Sequence, residues 1–404
     1  MEKKRVQDRI LLILSVSIFV SFHIVHNAIV TLGIAMFLVL FKAMMKHGML
    51  RIKIDRFFGA LVCFWITCAL SIIWATDTSL VIGRCTQLAE LYICIFAVYL
   101  SFVDKSSIEE PLKVIMFGGY LTCLITVILF GFANFRLLLL SGERIYTETI
   151  NSNTLGMLCA NSITINLYFL LYRNEKKWWS IFLVPAVLIV AVSSSRKALL
   201  MAALGLSLLL LFKPTKNKIL GSKVFRLIIT VICIVAIVNL IGSIGIFGGV
   251  TSRFTTFFNA FTGQGKVDYS TRARSELIRI GWDLFKQHPF GGVGIDNARI
   301  YAMWEVGRNY YLHNNFVEIL ADLGILGFIA YYSMYFYIFS SLFNYRQAKN
   351  HEFIICLILL LVELIMEYAN VTYSEPKMYF MFIVGFLEVQ ILKANLNNNS
   401  CSKS

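Results

Sequence analysis

Five arginines and one histidine stand where side chains of their types could do chemistry. Arg84 follows the segment WATDTSL, and Arg144 lies in LSGERIYTET. Arg196 follows three serines in VSSSRKALL, Arg272 and Arg274 share YSTRARSEL, and His313 opens HNNFVEILADLGILG. A guanidinium presents a fixed fork of N–H donors to an anionic oxygen, and the serines beside Arg196 add hydroxyls suited to the same ligand. A histidine, with an ordinary pKa of about 6.5, can take a proton from a hydroxyl at neutral pH. Each also has a plainer reading. Arg84 could reach for a membrane interface, Arg196 could cap a tight helix hairpin, and His313 could help cap the helix that Asn314 and Asn315 begin. Glu318 and Asp322 fall one helical turn apart, as do Glu363 and Glu367. Such pairs share a helix face and could orient a partner or pair with an arginine. Glu367 sits nearer the outer end of its run and is the better candidate of its pair. Gly324 and Gly327 read as helix-packing positions.

The scaffold that holds these residues must be a bundle of membrane helices. Of the 404 residues, 58% are hydrophobic and 15% charged, against about 25% charged in a soluble domain. Mean hydropathy is +0.72. Such a chain cannot cover its surface in water, which excludes a soluble enzyme, a secreted disulfide scaffold and a disordered regulator. Apolar runs predict twelve spans, over residues 10–25, 28–42, 57–75, 80–102, 112–133, 154–172, 178–193, 197–213, 224–247, 315–343, 352–370 and 376–393. The expected fold is therefore an all-α integral membrane protein of about 12 transmembrane helices, a single polytopic domain over 1–404. One long external loop, 248–314, joins helices 9 and 10 and carries part of the active site. Most of the 37 Lys and Arg fall in alternate connections and in the two tails. That bias puts both termini in the cytoplasm, with the five arginines and His313 on the outer face. The net charge of +14 thus reads as a topology signal, and no nucleic-acid partner is expected. The N-terminal MEKKRVQDR and the apolar run after it read as an uncleaved first span. Eight of the nine cysteines lie in apolar runs without a CxxC pair, so they read as packing residues. No phosphate-binding GxxxxGK loop, HExxH or acidic metal cluster is present in the sequence, and neither a metal nor a cofactor is expected. Arginines gathered on one external face suit a polyanion bound at the membrane surface, such as a lipid diphosphate.

Four blocks of the chain resemble the bacterial O-antigen ligase and O-antigen or capsular polysaccharide polymerase superfamily. They are SIIWATD at 71–77 with the Arg84 helix after it, NSNTLGM at 151–157, SSSRKALL at 193–200, and the long run from STRARSEL through HPFGGVGIDN to HNNFVEILADLGILG. The family often has a Trp a few residues after the loop arginine. Here Ile278 holds that place and Trp282 comes later, and Arg274 is the better match of the two arginines. The resemblance implies an inverting, metal-independent glycosyltransferase at the bacterial cytoplasmic (inner) membrane. Its donor would be a glycan on undecaprenyl diphosphate, its acceptor a hydroxyl on another glycan or a lipid, and its neighbours other polysaccharide-assembly proteins. Polymerase is preferred to ligase. His313, Arg196 and Arg274 would be catalytic, and Arg272, Arg84, Arg144, Glu318 and Glu367 would contact substrate. The competing class is a polysaccharide flippase or other transporter, for which both termini inside would also fit. A transporter favours internal repeats and helices broken at mid-membrane, whereas the polar candidates here gather at one face.

Overall fold

The computed structural model describes residues 2–46, 52, 55–141, 145, 149–173, 178–213, 269–307, 309–345 and 351–401, and all regular structure among them is helical. Eight of the described helices are long and apolar enough to cross a membrane. The all-α membrane fold is borne out, but not the number of spans. The stretches expected at 178–193, 197–213 and 352–370 form helices of 10, 17 and 15 residues over their regular α-helical parts. At 1.5 Å per residue these reach about 15 to 26 Å, short of a hydrocarbon layer of roughly 30 Å. The expected span 224–247 lies outside the described residues.

The chain groups into two units, one from residues 1–31, 109–266 and 350–362, the other from 32–108, 267–349 and 363–404. The first unit contains α1 (Glu2–Val20), α5 (Glu109–Phe130), α6 (Phe132–Ser141), α7 (Ser152–Tyr172), α8 (Leu183–Val192) and α9 (Arg196–Phe212). Within it α7 packs on α5, α8 and α9. Small residues set the spacing: a Cβ at Gly119 would overlap Ser162, and one at Gly205 would overlap Thr164. Without a hydrophobic force between helices in lipid, such close backbone approach is what binds them. At the end of α7, Arg173 pairs with Glu352 and, at 3.6 Å, with Glu109.

The second unit contains α2 (Ala28–Met45) from Leu32 onward, α3 (Arg56–Leu70), α4 (Thr78–Phe102), α10 (Tyr269–Gln287), α11 (Ala298–Val306), α12 (Asn315–Asn344), the end of α13 (Glu352–Met366) and α14 (Pro376–Cys401). Here α3 and α14 pack along α12. Aromatic rings fill the seam, with Phe57 on Phe386 at 4.8 Å, Tyr335 on Phe382 at 4.8 Å and Phe64 on Tyr331 at 5.3 Å between centroids. A buried ion pair, Lys377 Nζ to Glu363 Oε1 at 3.0 Å, adds a polar tie; burial of either charge alone would be costly. At one end of the unit, Lys42 donates to the Ser101 carbonyl at 2.9 Å and Lys46 pairs with Asp104 at 3.1 Å. The last residues of α3 and α13 and the first of α4, α12 and α14 meet at the opposite end, which also carries α10 and α11.

The polar run 269–311, expected as loop, is largely helical. Leu277, Ile280 and Leu284 of α10 recur at i, i+3, i+7 and are buried with Val293, Ala298, Ala302, Leu312, Val317 and Ala321. Charges on the other face, among them Arg279, Asp283 and Lys286, lower the average hydropathy that a span search depends on. Residues 248–268 lie outside the described residues.

Candidate functional site

The site is built around the first turns of α12. Asn314 caps the helix, its Oδ1 accepting from the Val317 N–H at 3.1 Å. Just before it the chain turns sharply: His313 has a φ of 59°, a left-handed conformation uncommon for residues other than glycine. Leu312 is fully buried, and its N–H donates to Glu318 Oε2 at 2.5 Å. Asn315 Oδ1 accepts the N–H groups of Thr372 and Tyr373 at 2.9 and 3.0 Å, and Asn315 N–H donates to the Glu367 carbonyl at 2.9 Å. The Asn-Asn dipeptide therefore joins the start of α12 to the connection between α13 and α14.

Two turns further on, α12 is interrupted. Gly324 has φ 61° and ψ −160°. The backbone groups freed there are met by the segment HPFGGVGIDN. Val293 N–H donates to the Ala321 carbonyl at 2.9 Å, Gly294 N–H to the Asp322 carbonyl at 2.8 Å, and Ile325 N–H to the Pro289 carbonyl at 2.8 Å. A Cβ at Gly292 would overlap the Asp322 backbone, and one at Gly324 the Phe290 backbone. The Asp322 carboxylate accepts the N–H groups of Asp296 and Ala298, both at 2.8 Å. The SIIWATD block grips the same segment from the other side. Trp74 Nε1 donates to the Gly291 carbonyl at 3.1 Å, Ser71 Oγ accepts from Ile295 N–H at 3.0 Å, and Asn297 Oδ1 accepts from Asp77 N–H at 2.7 Å. Three blocks far apart in the sequence are thus one hydrogen-bonded body.

The candidate residues divide by what surrounds them. Arg84 Nη2 pairs with Asp296 Oδ2 at 3.0 Å, its Nη1 donates to Gln87 at 2.6 Å, and its guanidinium lies 5.6 Å from the Tyr373 ring centroid. Arg299, which the sequence pattern did not single out, reaches the same Asp296 oxygen at 3.3 Å. Its signal was weak: one arginine just after a turn, with no flanking hydroxyls. Arg274 is half-buried on the inner flank of α10, whereas Arg272 is exposed. The Tyr311 hydroxyl feels the charge of Arg274, and the Tyr311 ring packs on His313 with centroids 4.4 Å apart. Within the second unit the structure therefore brings Tyr311 and His313 together, places Arg274 on α10, which packs against α12, and has Arg84 and Arg299 brace the adjoining turn. Arg196 belongs to the first unit. It starts α9 after Ser195, whose side chain accepts from Ala198 N–H at 3.3 Å; serines 193–195 are buried, and Ser193 packs on α7 at Gly156. Arg144 lies outside the described residues.

Glu318 and Glu367, which the resemblance would place in contact with substrate, are held by groups of the protein itself. Both are buried, at 1% and 0% exposure. Glu318 is engaged with the Leu312 N–H. Glu367 accepts four hydroxyls, from Tyr331 and Tyr335 at 3.0 Å and from Tyr332 and Thr372 at 2.7 Å. The three tyrosines come from α12, more than thirty residues away in sequence, so no local pattern announces them; Thr372 follows five residues after Glu367. Removing the carboxylate strands four hydroxyls, and a buried unpaired polar group costs about 1–3 kcal/mol. Glu367→Ala should therefore lower the thermal midpoint of the detergent-solubilised protein strongly, while Glu367→Gln, which keeps an acceptor oxygen, recovers much of it. An alanine variant that melts with the wild type would show that this network does not hold the fold.

Residues 181–332 match the protein family described as O-antigen ligase. The matched stretch holds Arg196, Arg272, Arg274, His313 and Glu318, and it ends within α12. Among curated proteins no match is found. The resemblance to the O-antigen ligase and polymerase superfamily is thereby borne out, and it joins the membrane helices in pointing to a multi-pass enzyme of surface-polysaccharide assembly.

Proposed function

We propose that the chain is an inverting glycosyltransferase that moves a glycan from undecaprenyl diphosphate to an acceptor hydroxyl at the outer leaflet of the bacterial cytoplasmic membrane. The observation that carries this reading is that residues 181–332, which match the O-antigen ligase family, include His313 on a left-handed turn at the start of α12 and Arg274 on the amphipathic helix α10 that packs against α12. In the proposed reaction the imidazole of His313 takes the acceptor's hydroxyl proton as that oxygen attacks the anomeric carbon. The bond from the anomeric carbon to the diphosphate oxygen breaks on the opposite face, which inverts the configuration. Charge builds on the departing lipid diphosphate, where the planar fork of a guanidinium can grip two oxygens at once. Arg274 and Arg196 take that role, and Arg272 and Arg144 supply further positive charge along the approach. A lipid diphosphate is already a good leaving group, so no activated nucleotide is required, and the arginines and His313 suffice for a metal-independent transfer.

A polymerase passes the glycan to a second lipid-linked repeat unit, and a ligase to a different lipid carrier. Purified protein given lipid-linked repeat units, with and without a candidate acceptor lipid, tests the reading. A ladder of products from repeat units alone marks the polymerase we favour, transfer only to the added lipid marks a ligase, and neither product would overturn the proposal. The outer placement of α10 has its own test. Lys286 is 71% exposed, so Lys286→Cys should react with a membrane-impermeant thiol reagent added to intact cells whose outer surface is accessible. Labelling that appears only after the membrane is broken would invert the topology.

A further inference from the structure

Two spans of the second unit end their lipid-facing stripes at the same place. On α3 and the turn after it, the exposed apolar residues Val62, Ile66, Leu70 and Ile73 recur at helical spacing; on α12 they are Leu326, Ile329, Phe336 and Phe343. No Asp, Glu, Lys or Arg lies between Arg56 and Asp77 or between Asp322 and Arg346. The span Arg56–Ile73 has 18 residues, which reach about 27 Å at 1.5 Å per residue, and Leu326 to Phe343 reaches about 26 Å. Each is close to a hydrocarbon layer of roughly 30 Å. Ile73 and Leu326 therefore mark the acyl boundary, and the backbone beside both is bonded to one turn, Pro289–Gly291. Trp74 Nε1 donates to the Gly291 carbonyl at 3.1 Å, and the N–H groups of Ile325 and Leu326 donate to the Pro289 and Phe290 carbonyls at 2.8 and 3.4 Å. Phe290, in the middle of that turn, is 72% exposed.

We propose that the turn Pro289–Gly291 seats the second unit in the bilayer, with Phe290 inserted among the phospholipid acyl chains of the leaflet on the α10 side. A single exposed phenylalanine on a soluble protein would call for no explanation. This one stands at the depth where two lipid-facing stripes end, on backbone bonded to both. Its surroundings suit the headgroup layer. Trp74 joins an apolar body to a polar tip at a span end, where tryptophan is enriched in membrane proteins. The exposed Lys286 lies one turn earlier in the chain and adds a cation suited to lipid phosphates. The turn is not a separate appendage, because its carbonyls complete the break in α12 and Gly292 backs onto Asp322. The depth of Phe290 in the leaflet thereby sets the depth at which α12 begins, and with it the turn that carries His313. This seating does not depend on which reaction the chain performs.

The full-length protein with Phe290 replaced by the photoreactive analogue p-benzoyl-phenylalanine, reconstituted in donor-free vesicles of phosphatidylethanolamine and phosphatidylglycerol, tests the seat. On irradiation the benzophenone adds to a neighbouring C–H bond, so contact with lipid raises the protein's mass by that of one phospholipid. The adduct at 290 should exceed by about 10-fold that from the same analogue at Arg279, which lies on the charged face of α10 and outside the acyl layer. Phe290 is exposed, so the analogue should leave insertion and abundance unchanged. Phe290→Trp gives a second readout: its added emission should be quenched by phospholipids brominated on the acyl chain, whereas that of Arg279→Trp should not. No adduct at 290, equal adducts at both positions, an adduct to a second copy of the chain, or an unquenched Trp at 290 overturns the proposal. So does crosslinking that appears only when a polyprenyl diphosphate is added, which would make the turn a contact for that lipid rather than for the bilayer.

Discussion

His313→Asn should yield a protein that inserts and accumulates like wild type, still binds the lipid-linked donor, and transfers glycan about 10²–10⁴-fold more slowly, the usual contribution of a positioned base. Asparagine is chosen for the backbone. His313 sits at φ 59°, and asparagine is among the few side chains that accept the left-handed region readily. The turn, the Leu312 bond to Glu318 and the Asn314 cap should survive, so the loss isolates proton transfer from helix capping. The wild-type rate should also fall as falling pH protonates the imidazole, because an imidazolium has no lone pair to receive a proton. Measured rates of His313→Asn equal to wild type, with the same pH profile, would make His313 structural. Direct deprotonation of the acceptor by the lipid diphosphate would then be the alternative to test.

Arg274→Lys should cost about 10²-fold in kcat/KM, comparable to removal of one preorganised donor from a developing anion. Lysine keeps the charge and loses the planar fork that grips two oxygens at once. The structure adds an internal control. Arg274 is half-buried and spaced i, i+3, i+7 with Leu277 and Gly281, on the flank of α10 that faces the start of α12; Arg272 is exposed on the other flank. Arg272→Lys should therefore remain within about 3-fold of wild type, since an exposed charge is screened by salt. Arg196→Lys should resemble Arg274→Lys. Steady-state kinetics on the three variants decides the matter, and an arginine whose lysine variant turns over normally leaves the site.

How much of this was legible in the sequence depends on where each signal is written. The motif blocks were visible as strings, and the structure explains why they belong together: Trp74, Ser71 and Asp77 of SIIWATD are bonded to Gly291, Ile295 and Asn297 of HPFGGVGIDN. That mutual dependence is a property of tertiary contact, and spacing along the chain does not contain it. The same holds for Glu367, which accepts three tyrosine hydroxyls from α12 and one from Thr372, surroundings that its charge alone does not reveal. Arg84 is a similar case: its guanidinium is shared among Asp296, Gln87 and the Tyr373 ring, partners that its position near a helix end does not announce. The helices of 269–306 were missed because their apolar residues form a narrow stripe, which averaging over a window dilutes.

Gly292 and Gly324 leave no room for a side chain on either partner, and the backbone bonds between 289–294 and 321–325 complete a helix that cannot satisfy itself at the break. The two stretches are therefore a single cassette, cut to fit each other in backbone rather than side chains. Exchange between relatives that aims to move specificity should respect that seam. A graft ending at the mouth of α12 would set a foreign turn on a break shaped for another. One that runs from the start of α10 through Leu326, together with the 71–77 clasp, would carry its own hydrogen-bond partners with it. Recombination within such enzymes should accordingly tolerate crossovers in the regular part of α12 beyond Leu326 far better than crossovers among the short connections that sequence comparison alone would nominate as safe.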